Sequence, residues 1–357
     1  MLRTGAEPEP HTNQNRTAFT PPRLSKRVQF SGSWSLERAK AGGCWLLGKH
    51  ERLLVVGGRL REMVEKGENN CWPEFQLPGV SIGPFCTVGP SAKLGNSCQL
   101  HPGCHVFGDI ELGDNCILLT GAIVGADLPG FTIIGSNNII GHHAVVGVKC
   151  QDLKYKPGDE CFLLVGDDND IREYTSIHLS SKSSDKTVIG DNNLIMGSCH
   201  IAHDCKVGNN NILANNTLLA GHVVVEDYTH TAGATVVHQF CHLGSFSFIG
   251  GGSVVAQDVP RYLMVSGDRA ELRGLNLEGL RRHGFLNTEV KSMRRAYQKI
   301  FMPIDAQTGG IEDRLAEVVQ NEELSNLPVV HSMVQSIRDS FDKNRRGICK
   351  FRHWSGS

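Results

Sequence analysis

The chain has 357 residues, with 36 Lys and Arg against 37 Asp and Glu, so its formal net charge is −1. This balance does not favour binding to nucleic acid or to an anionic membrane, and no apolar run reaches the roughly 18 residues that a membrane span needs. Hydrophobic residues make up 40% of the chain but aromatic residues only 6%, which suits a narrow core filled by Val, Ile and Leu.

The first 50 residues are basic, since they contain eight Lys or Arg, three Glu and no Asp. Such a composition, with scattered Ser and Thr, is typical of an organellar transit peptide. We predict a mitochondrial location, with a plastid or the cytoplasm left open. The alternative is an unstructured leader or a wrongly joined first exon. Residues 51–79 lack clean repeats and are predicted to form an irregular N-terminal cap.

Aliphatic residues then recur at every sixth position in blocks that run from Ile82 to Val124, Ile134 to Val146, Val165 to Ile177 and Ile189 to Val255, with Thr231 the only non-aliphatic member of the last block. Neither the helical period of 3.6 nor the strand period of 2 produces a repeat of six, whereas hexapeptide solenoids do. Three hexads form one triangular coil, so residues about 18 apart stack at roughly 4.8 Å. We therefore predict an all-β left-handed parallel β-helix, a hexapeptide-repeat prism, over residues 80–267.

Twelve cysteines raise the question of disulfides or a zinc site. Many of them occupy the small-residue position four after the aliphatic residue, and no CxxC pair occurs. We interpret them as reduced packing residues in a reducing compartment. The residues at this position are Cys86, Cys98, Cys104, Cys116, Cys199, Cys205 and Cys241.

Two polar stretches interrupt the hexads, namely KCQDLKYKPGDEC (149–161) and the segment from Ser180 to Thr187. Loops expelled from a solenoid wall commonly lie over a binding surface, although a tolerated insertion is the alternative. After Gly267 the period of six stops and helical spacing replaces it. Residues 268–357 are therefore predicted to form a smaller α-helical C-terminal domain that caps the prism.

Histidine carries the clearest chemical signal. The spacings from His203 to His222 and from His222 to His238 are each close to one coil, which predicts a vertical row of three rings. Asp204 is adjacent to His203 and can fix its tautomer and raise its basicity, as a general base requires. We therefore predict that His203 acts as the base.

A zinc site built from three stacked histidines is the alternative. The γ-class carbonic anhydrases have a similar prism, and that resemblance implies a pair of histidines five residues apart. Here the fifth position after His238 is Leu243. We therefore predict no metal site and no other cofactor.

A set of motifs in order along the chain resembles the UDP-N-acetylglucosamine acyltransferases, which catalyse the first step of lipid A synthesis. The resemblance covers about residues 80–350, and the chain looks most like the plant, organelle-targeted branch. The motifs are QDLKY (Gln151 to Tyr155), HIAHDC (His200 to Cys205), ILANN (Ile212 to Asn216), LAGHV (Leu219 to Val223), VHQFC (Val237 to Cys241), AQDVP (Ala256 to Pro260) and NLEGLRR (Asn276 to Arg282).

The resemblance implies a homotrimer of left-handed prisms with active sites in the clefts between neighbours. It implies transfer of an (R)-3-hydroxyacyl group from acyl carrier protein to the 3-hydroxyl of UDP-N-acetylglucosamine. By position, His203 matches the general base, Asp204 its partner, and Gly221 the residue whose backbone N–H stabilises the oxyanion. The matches to substrate contacts are Asp152, Lys154, His200, His222, His238, Gln239, Asn276, Glu278 and Arg282, and Gly251 matches the floor of the acyl pocket.

Two departures from the family stand out. His283 follows Arg282 where the family has a second Arg, and no regular coil precedes residue 79. Two other functions stay open. A sister enzyme that N-acylates a sugar amine shares the prism but places its uridine-binding domain before the coils, and a non-catalytic scaffold would have no reason to keep HIAHDC, QDLKY and NLEGLRR together.

Overall fold

The computed structural model of the protein describes residues 54–56, 79–302 and 309–351. The predicted transit peptide lies outside the described residues, as does most of the predicted cap. The strands of the first part are β1 Leu54–Val56, β2 Ser81–Ile82, β3 Cys86–Val88, β4 Lys93–Leu94, β5 Gln99–Leu100, β6 His105–Phe107, β7 Ile110–Leu112, β8 Ile117–Leu118, β9 Ile123–Gly125, β10 Gly130–Ile134, β11 Ile139–Ile140, β12 Val145–Val148, β13 Cys161–Val165, β14 Asp170–Ile171 and β15 Ser176–His178.

The second part continues the short strands and ends in helices. The strands are β16 Thr187–Ile189, β17 Leu194–Ile195, β18 His200–Ile201, β19 Lys206–Val207, β20 Ile212–Leu213, β21 Leu218–Leu219, β22 Val224–Val225, β23 His230–Thr231, β24 Val236–Val237, β25 His242–Leu243, β26 Phe248–Ile249, β27 Val254–Val255, β28 Leu263–Ser266 and β29 Glu271–Leu275. The helices are α1 Leu277–Arg282, α2 Asn287–Phe301, α3 Ile311–Gln320, α4 Glu322–Ser325 and α5 Pro328–Asp339.

The strands form the three walls of a prism. One sheet has ten strands, one has eight and one has eleven, and each strand from β2 to β24 pairs in parallel with the strand three later. On the ten-stranded face His200 lies opposite Leu218, and Leu218 lies opposite Val236, so one coil consists of three whole hexads. The predicted left-handed parallel β-helix is confirmed. β1, inside the predicted irregular cap, pairs antiparallel with β3.

The interior of the prism is filled by one aliphatic side chain per hexad. Ile195, Leu213 and Ile249 are completely buried, as is the polar member of the series, Thr231. The cysteines serve the same core, since the ten in the described ranges are all free and buried. The Cys199 thiol donates to Ala214 O at 3.2 Å, which shows how the small side chain fills a tight turn without a disulfide.

Each corner of the prism holds one residue per coil in the left-handed region of backbone conformation. Asp204, His222 and Phe240 have φ values of 61°, 61° and 64°, so one corner places successive side chains directly above one another. We name three corners. The histidine corner comprises 202–205, 220–223 and 238–241; the aromatic corner 208–211, 226–229 and 244–247; and the glycine corner 214–217, 232–235 and 250–253, with the earlier coils stacked beneath.

The sheet continues past the predicted boundary at residue 267. β28 pairs in parallel with β26, and β29 then runs antiparallel to β28, with Leu263 opposite Leu275. Gly267, at φ 120°, lies where the chain reverses, and the alternating segment ELRGL suits a strand. The helical part therefore begins at Leu277, later than predicted. After the last helix, Ile348 forms a β-bridge with Asp258 of the prism.

A partly buried ionic network joins the helices to the prism. Arg261 donates to Glu226 at 2.6 Å and to Ser332 in α5 at 3.0 Å, while His242 Nε2 lies 2.7 Å from the same carboxylate. Burial alone would raise the pKa of Glu226, but hydrogen bonds involving His242 and Arg261 outweigh it and hold that pKa far below its usual range. None of the described helices is long and apolar enough to cross a membrane.

Candidate active site

His203 and Asp204 follow β18 on the histidine corner. Because Asp204 adopts a left-handed conformation, the chain turns sharply and the two neighbouring side chains meet, with His203 Nδ1 2.7 Å from Asp204 Oδ2. The two residues are 5% and 2% exposed. A proton on Nδ1 is held by the carboxylate, so Nε2 is left as the acceptor, which is the tautomer that a general base needs.

The Asp204 carboxylate is fixed by further donors. Ser181 donates to it from its hydroxyl at 2.6 Å and from its backbone N–H at 3.1 Å. Burial would raise the pKa of Asp204, but the hydrogen bonds of His203 and Ser181 outweigh it and keep that pKa below its ordinary value. Ser181 belongs to the second polar interruption, which sequence analysis flagged as a loop without singling out this side chain.

Gly221 lies against the ring of His203. A Cβ atom at Gly221 would come within 2.4 Å of His203 Cε1 and 2.6 Å of Nε2, so any side chain here would displace the imidazole. Gly221 is buried, yet within the described ranges its backbone N–H has no acceptor. A free main-chain donor therefore lies directly beside the candidate base.

His222 stands one coil above Asp204. Its ring meets the ring of His203 edge-on, with centroids 5.2 Å apart and an interplanar angle of 89°. On its other side, Phe240 stacks parallel to it at 4.7 Å and 5°. Burial is the main cause that lowers the pKa of His222.

The predicted row of three histidines is therefore wrong in its third member. The corner position recurs once per coil, at Asp204, His222 and Phe240, whereas His238 comes two residues before it. A spacing that is only close to one coil does not return to the same corner position. His238 and Gln239 are instead exposed residues at the edge of the same corner.

His200 and a neighbour that sequence analysis missed, His178, form a second pair of rings. Their centroids lie 4.6 Å apart in an edge contact, and Ser176 Oγ lies 2.7 Å from His200 Nδ1. Burial, with His200 and His203, lowers the pKa of His178 to about 4, and burial also lowers that of His200. Burial thus favours the neutral form of both rings, and within the described residues His178 Nδ1 has no hydrogen-bond partner.

The first interruption, between β12 and β13, brings Asp152 to the base. Asp152 Oδ2 lies 3.9 Å from His203 Nε2, while Oδ1 accepts the backbone N–H of Lys154 at 2.9 Å and so closes a local turn. Lys154 itself is exposed. The QDLKY loop therefore presents a carboxylate and an exposed cation at the histidine corner.

Asn276 caps helix α1 on the aromatic corner. Its Oδ1 accepts the N–H of Gly279 at 3.0 Å and its Nδ2 donates to Phe246 O at 2.9 Å. The side chain is 8% exposed. Its polar atoms are therefore already used to hold α1 on the prism, which leaves it less free for a ligand than the sequence resemblance implied.

The exposed face of α1 carries charge. Glu278 accepts from Arg281 and Arg282 at 2.8 Å each, and hydrogen bonds from these two residues lower the pKa of Glu278 to about 2. His283 ends the helix and meets the rings of Tyr228 and Phe246 edge-on, with centroids 4.9 and 5.4 Å away. The residue that departs from the family pattern is thus an aromatic contact between helix and prism.

Gly251 lies on the glycine corner, exposed and away from left-handed backbone. A Cβ atom here would lie 3.3 Å from Gly233 O and otherwise meet little. Within one chain the candidate residues are therefore spread over three corners: His203 on the first, α1 on the second and Gly251 on the third. A single cleft that uses all of them needs corners from more than one copy.

One nitrogen or oxygen atom from each of His203, Asp204 and His222 lies within 4.8 Å of the others, which is close enough for the three to hold a metal ion. No other such group is found among the described residues. However, Asp204 Oδ2 already interacts with the Ser181 hydroxyl at 2.6 Å and His203 Nδ1 at 2.7 Å. A cation there would displace these protons. The donor set fits a carboxylate that orients an imidazole better than it fits a metal ligand.

Two family models match the chain. Residues 258–349 match the second domain of UDP N-acetylglucosamine O-acyltransferase. Residues 186–221 match the bacterial transferase hexapeptide, six repeats.

Curated proteins show the same likeness. The chain is 71% identical over 258 residues to the probable mitochondrial acyl-[acyl-carrier-protein]–UDP-N-acetylglucosamine O-acyltransferase of Arabidopsis thaliana, covering 72% of this chain and 77% of that protein. It is 46% identical over 169 residues to the acyl-[acyl-carrier-protein]–UDP-N-acetylglucosamine O-acyltransferase of Nautilia profundicola, covering 47% and 65%.

Solved structures agree. The Arabidopsis UDP-N-acetylglucosamine acyltransferase superposes with a TM-score of 0.76 at 71% identity, covering 76% of this chain and 95% of that one. The Francisella novicida enzyme gives a TM-score of 0.67 at 33% identity, covering 74% and 92%.

Proposed function

The chain belongs to the family of acyl-[acyl-carrier-protein]–UDP-N-acetylglucosamine O-acyltransferases, and we propose from this premise how its residues perform the reaction. It transfers an (R)-3-hydroxyacyl group from acyl carrier protein to the 3-hydroxyl of UDP-N-acetylglucosamine, the first step of lipid A synthesis. One observation carries the mechanism: the buried His203–Asp204 pair leaves Nε2 of the imidazole as the proton acceptor.

A sugar hydroxyl is a poor nucleophile until its proton leaves. His203 Nε2 takes the proton of the 3-hydroxyl as the oxygen attacks the thioester carbonyl. The new carbon–oxygen bond forms, the carbon–sulfur bond breaks, and the carrier thiolate receives the proton from His203. Asp204 stabilises the imidazolium between these two transfers.

The attacked carbonyl oxygen becomes negative before the thiolate leaves. Gly221 lies against the His203 ring, and its N–H, which has no acceptor among the described residues, supplies a donor for this oxygen. His222, His238 and Gln239 line the same corner for the thioester and its carrier arm. His200 presents a neutral ring to the sugar.

The nucleotide is held by charge from two places. Lys154 on the QDLKY loop and Arg282 on α1 provide positive charge for the diphosphate. The planar guanidinium of Arg282 can donate two hydrogen bonds to one phosphate. Asp152 contacts the acceptor sugar beside the base. Asn276 and Glu278 keep α1 and its arginines in position through the hydrogen bonds described above.

These groups lie on different corners of one prism, which supports a homotrimer with active sites between neighbours. In this arrangement the glycine corner of one copy lines the acyl groove, and Gly251 forms its floor. The mitochondrial name of the Arabidopsis relative supports the same location for this chain, with residues 1–50 as the transit peptide.

The test incubates the purified protein with UDP-N-acetylglucosamine and a panel of (R)-3-hydroxyacyl carrier proteins, with product identified by mass spectrometry. We expect an ester at the 3-hydroxyl, formed by the parent and at least about a hundredfold more slowly by His203→Ala. Transfer to a sugar amine instead would show that the protein is an N-acyltransferase. Hydration of carbon dioxide without acyl transfer would show that it is a carbonic anhydrase. Analytical ultracentrifugation measures the oligomeric state, and we expect the mass of three chains.

A further inference from the structure

Phe240 is a large apolar residue at a left-handed corner position of the prism. Its side chain is large and apolar, yet the residue is 48% exposed, and its backbone adopts φ 64°, a region that bulky residues rarely enter. Glycine or asparagine would occupy such a corner without strain. The ring makes one close aromatic contact among the described residues, the parallel stack on His222.

His222 is held by rings rather than by hydrogen bonds. Its Nε2 lies 3.6 Å from Asp204 Oδ2 and its Nδ1 lies 3.9 Å from Asp185 Oδ2, both too long for hydrogen bonds. No other side-chain hydrogen bond fixes it within the described ranges. Its orientation therefore depends on the edge of His203 and the face of Phe240.

We propose that Phe240 is a positioning residue, which clamps the ring of His222 perpendicular to His203 at the place proposed for the reacting thioester. The proposal rests on the function given above. Offset or parallel aromatic stacking is directional, so a ring of matching shape restricts the rotamers of His222. Without it, a displacement of about 1 Å is enough to slow the reaction strongly.

The chain contains a matched pair for comparison. Tyr174 stacks on His143 with centroids 5.5 Å apart and an interplanar angle of 14°. Tyr174 is also exposed, at 63%, and also left-handed, at φ 58°. This pair lies on the glycine corner but four coils below Gly252, away from the proposed acyl groove, and no contact joins it to the His203–Asp204 pair among the described residues. Tyr174→Leu therefore removes the same kind of stack without touching the site.

The experiment compares Phe240→Leu, Phe240→Tyr and Tyr174→Leu with the parent in steady-state acyl transfer. Leu keeps apolar bulk but cannot stack, whereas Tyr keeps the stack. We expect Phe240→Leu to lower kcat by tenfold or more with less than a twofold change in KM for UDP-N-acetylglucosamine. Phe240→Tyr should restore kcat to within twofold of the parent, and Tyr174→Leu should match the parent.

Three results would overturn the proposal: parental kcat in Phe240→Leu, an equal loss in Phe240→Tyr, or an equal loss in Tyr174→Leu. Crystal structures of the Phe240 variants give an independent reading, since the His222 ring should turn in Phe240→Leu and stay in Phe240→Tyr. If the parent shows no acyl transfer, the proposed function fails on its own. The ring positions then decide the stacking proposal, and an unmoved His222 ring in Phe240→Leu refutes it.

Discussion

The histidine corner and the aromatic corner share one backbone geometry but serve different ends. On the histidine corner, the left-handed positions hold Asp204, His222 and Phe240, with φ near 60° at each. On the aromatic corner, the corresponding positions in the same coils include Tyr228 and Phe246, both at φ 58°. Both corners stack rings at about the coil spacing, at 4.7 Å for His222 on Phe240 and 4.8 Å for Tyr228 on Phe246.

What covers each stack accounts for the difference. Phe246 is covered by residues that follow α1, since His283 and Phe285 meet its ring at 5.4 and 5.0 Å. Phe240 stays half exposed beside a buried acid–base pair. A solenoid corner is thus a place where the same strained backbone can present a side chain either to a partner element or to a substrate. Whether a corner ring is covered, more than whether it is stacked, therefore distinguishes a corner that packs against a helix from a corner that faces a substrate.

The largest expected effect tests the histidine corner directly. His203→Ala should lower kcat by about two to four orders of magnitude, the usual contribution of a general base, with the unfolding temperature nearly unchanged. Steady-state kinetics and a thermal scan measure both. His143→Ala, which removes a histidine from another corner, is the matched control and should keep parental activity. A value of kcat within threefold of the parent for His203→Ala would remove it from the role of base.

The second prediction extends the comparison to the glycine corner. Gly251→Met should shift donor preference toward acyl chains about four carbons shorter, because its side chain would fill that depth of the groove. Each CH₂ kept from burial costs about 0.8 kcal/mol, so four cost about 3 kcal/mol, or about a hundredfold in the ratio of kcat/KM for long and short donors. Gly251→Ala adds one carbon and should shift the ratio less, in the same direction. An unchanged ratio in Gly251→Met would place the limit on chain length elsewhere.

The third prediction separates docking from chemistry. Phe246→Ala should lower the free energy of unfolding by about 2 kcal/mol, because a partly buried ring loses its contacts with Tyr228 and the residues after α1. Urea unfolding measures this loss. Phe85→Ala, at an exposed left-handed position, should change stability little. Equal losses at both positions would mean that the covering of the aromatic corner contributes nothing.

The fourth prediction concerns His283. His283→Arg gives α1 a permanent second cation and should lower KM for UDP-N-acetylglucosamine by about threefold, within the range of an exposed ionic contact. Arg can also stack on the rings of Tyr228 and Phe246, so stability should hold. A rise in KM together with a lower unfolding temperature would instead show that the imidazole is needed for docking.

The smallest expected effect concerns metal at the histidine corner. Prolonged chelation should leave the rate of acyl transfer within experimental error of the untreated enzyme. The reason is that the Asp204 carboxylate already accepts hydrogen bonds from His203 and Ser181. Elemental analysis should show well under one zinc per chain. Loss of activity on chelation, restored by zinc, would make the cluster of His203, Asp204 and His222 a metal centre.

Much of the fold follows from the sequence because it is local. A strict period of six leaves one arrangement, since each aliphatic residue must reach a common axis and each cysteine must fit a tight turn. Ile195 and Cys199, both assigned to the interior by register alone, are buried in the structure. Adjacent residues are equally predictable, and the contact of His203 with Asp204 came from proximity in the chain together with the matching motif.

The tertiary structure decided what depends on register to within one residue or on distant chain segments. In the sequence, the spacings between the three histidines are close to the length of one coil. The corner position, however, recurs only after three whole hexads, so the residue that stacks on His222 is Phe240 and not His238. Ser181 reaches Asp204 across 23 residues, and no local pattern announces it. Composition and periodicity describe a solenoid coil by coil, whereas its site is built from side chains that meet only after the coils have stacked.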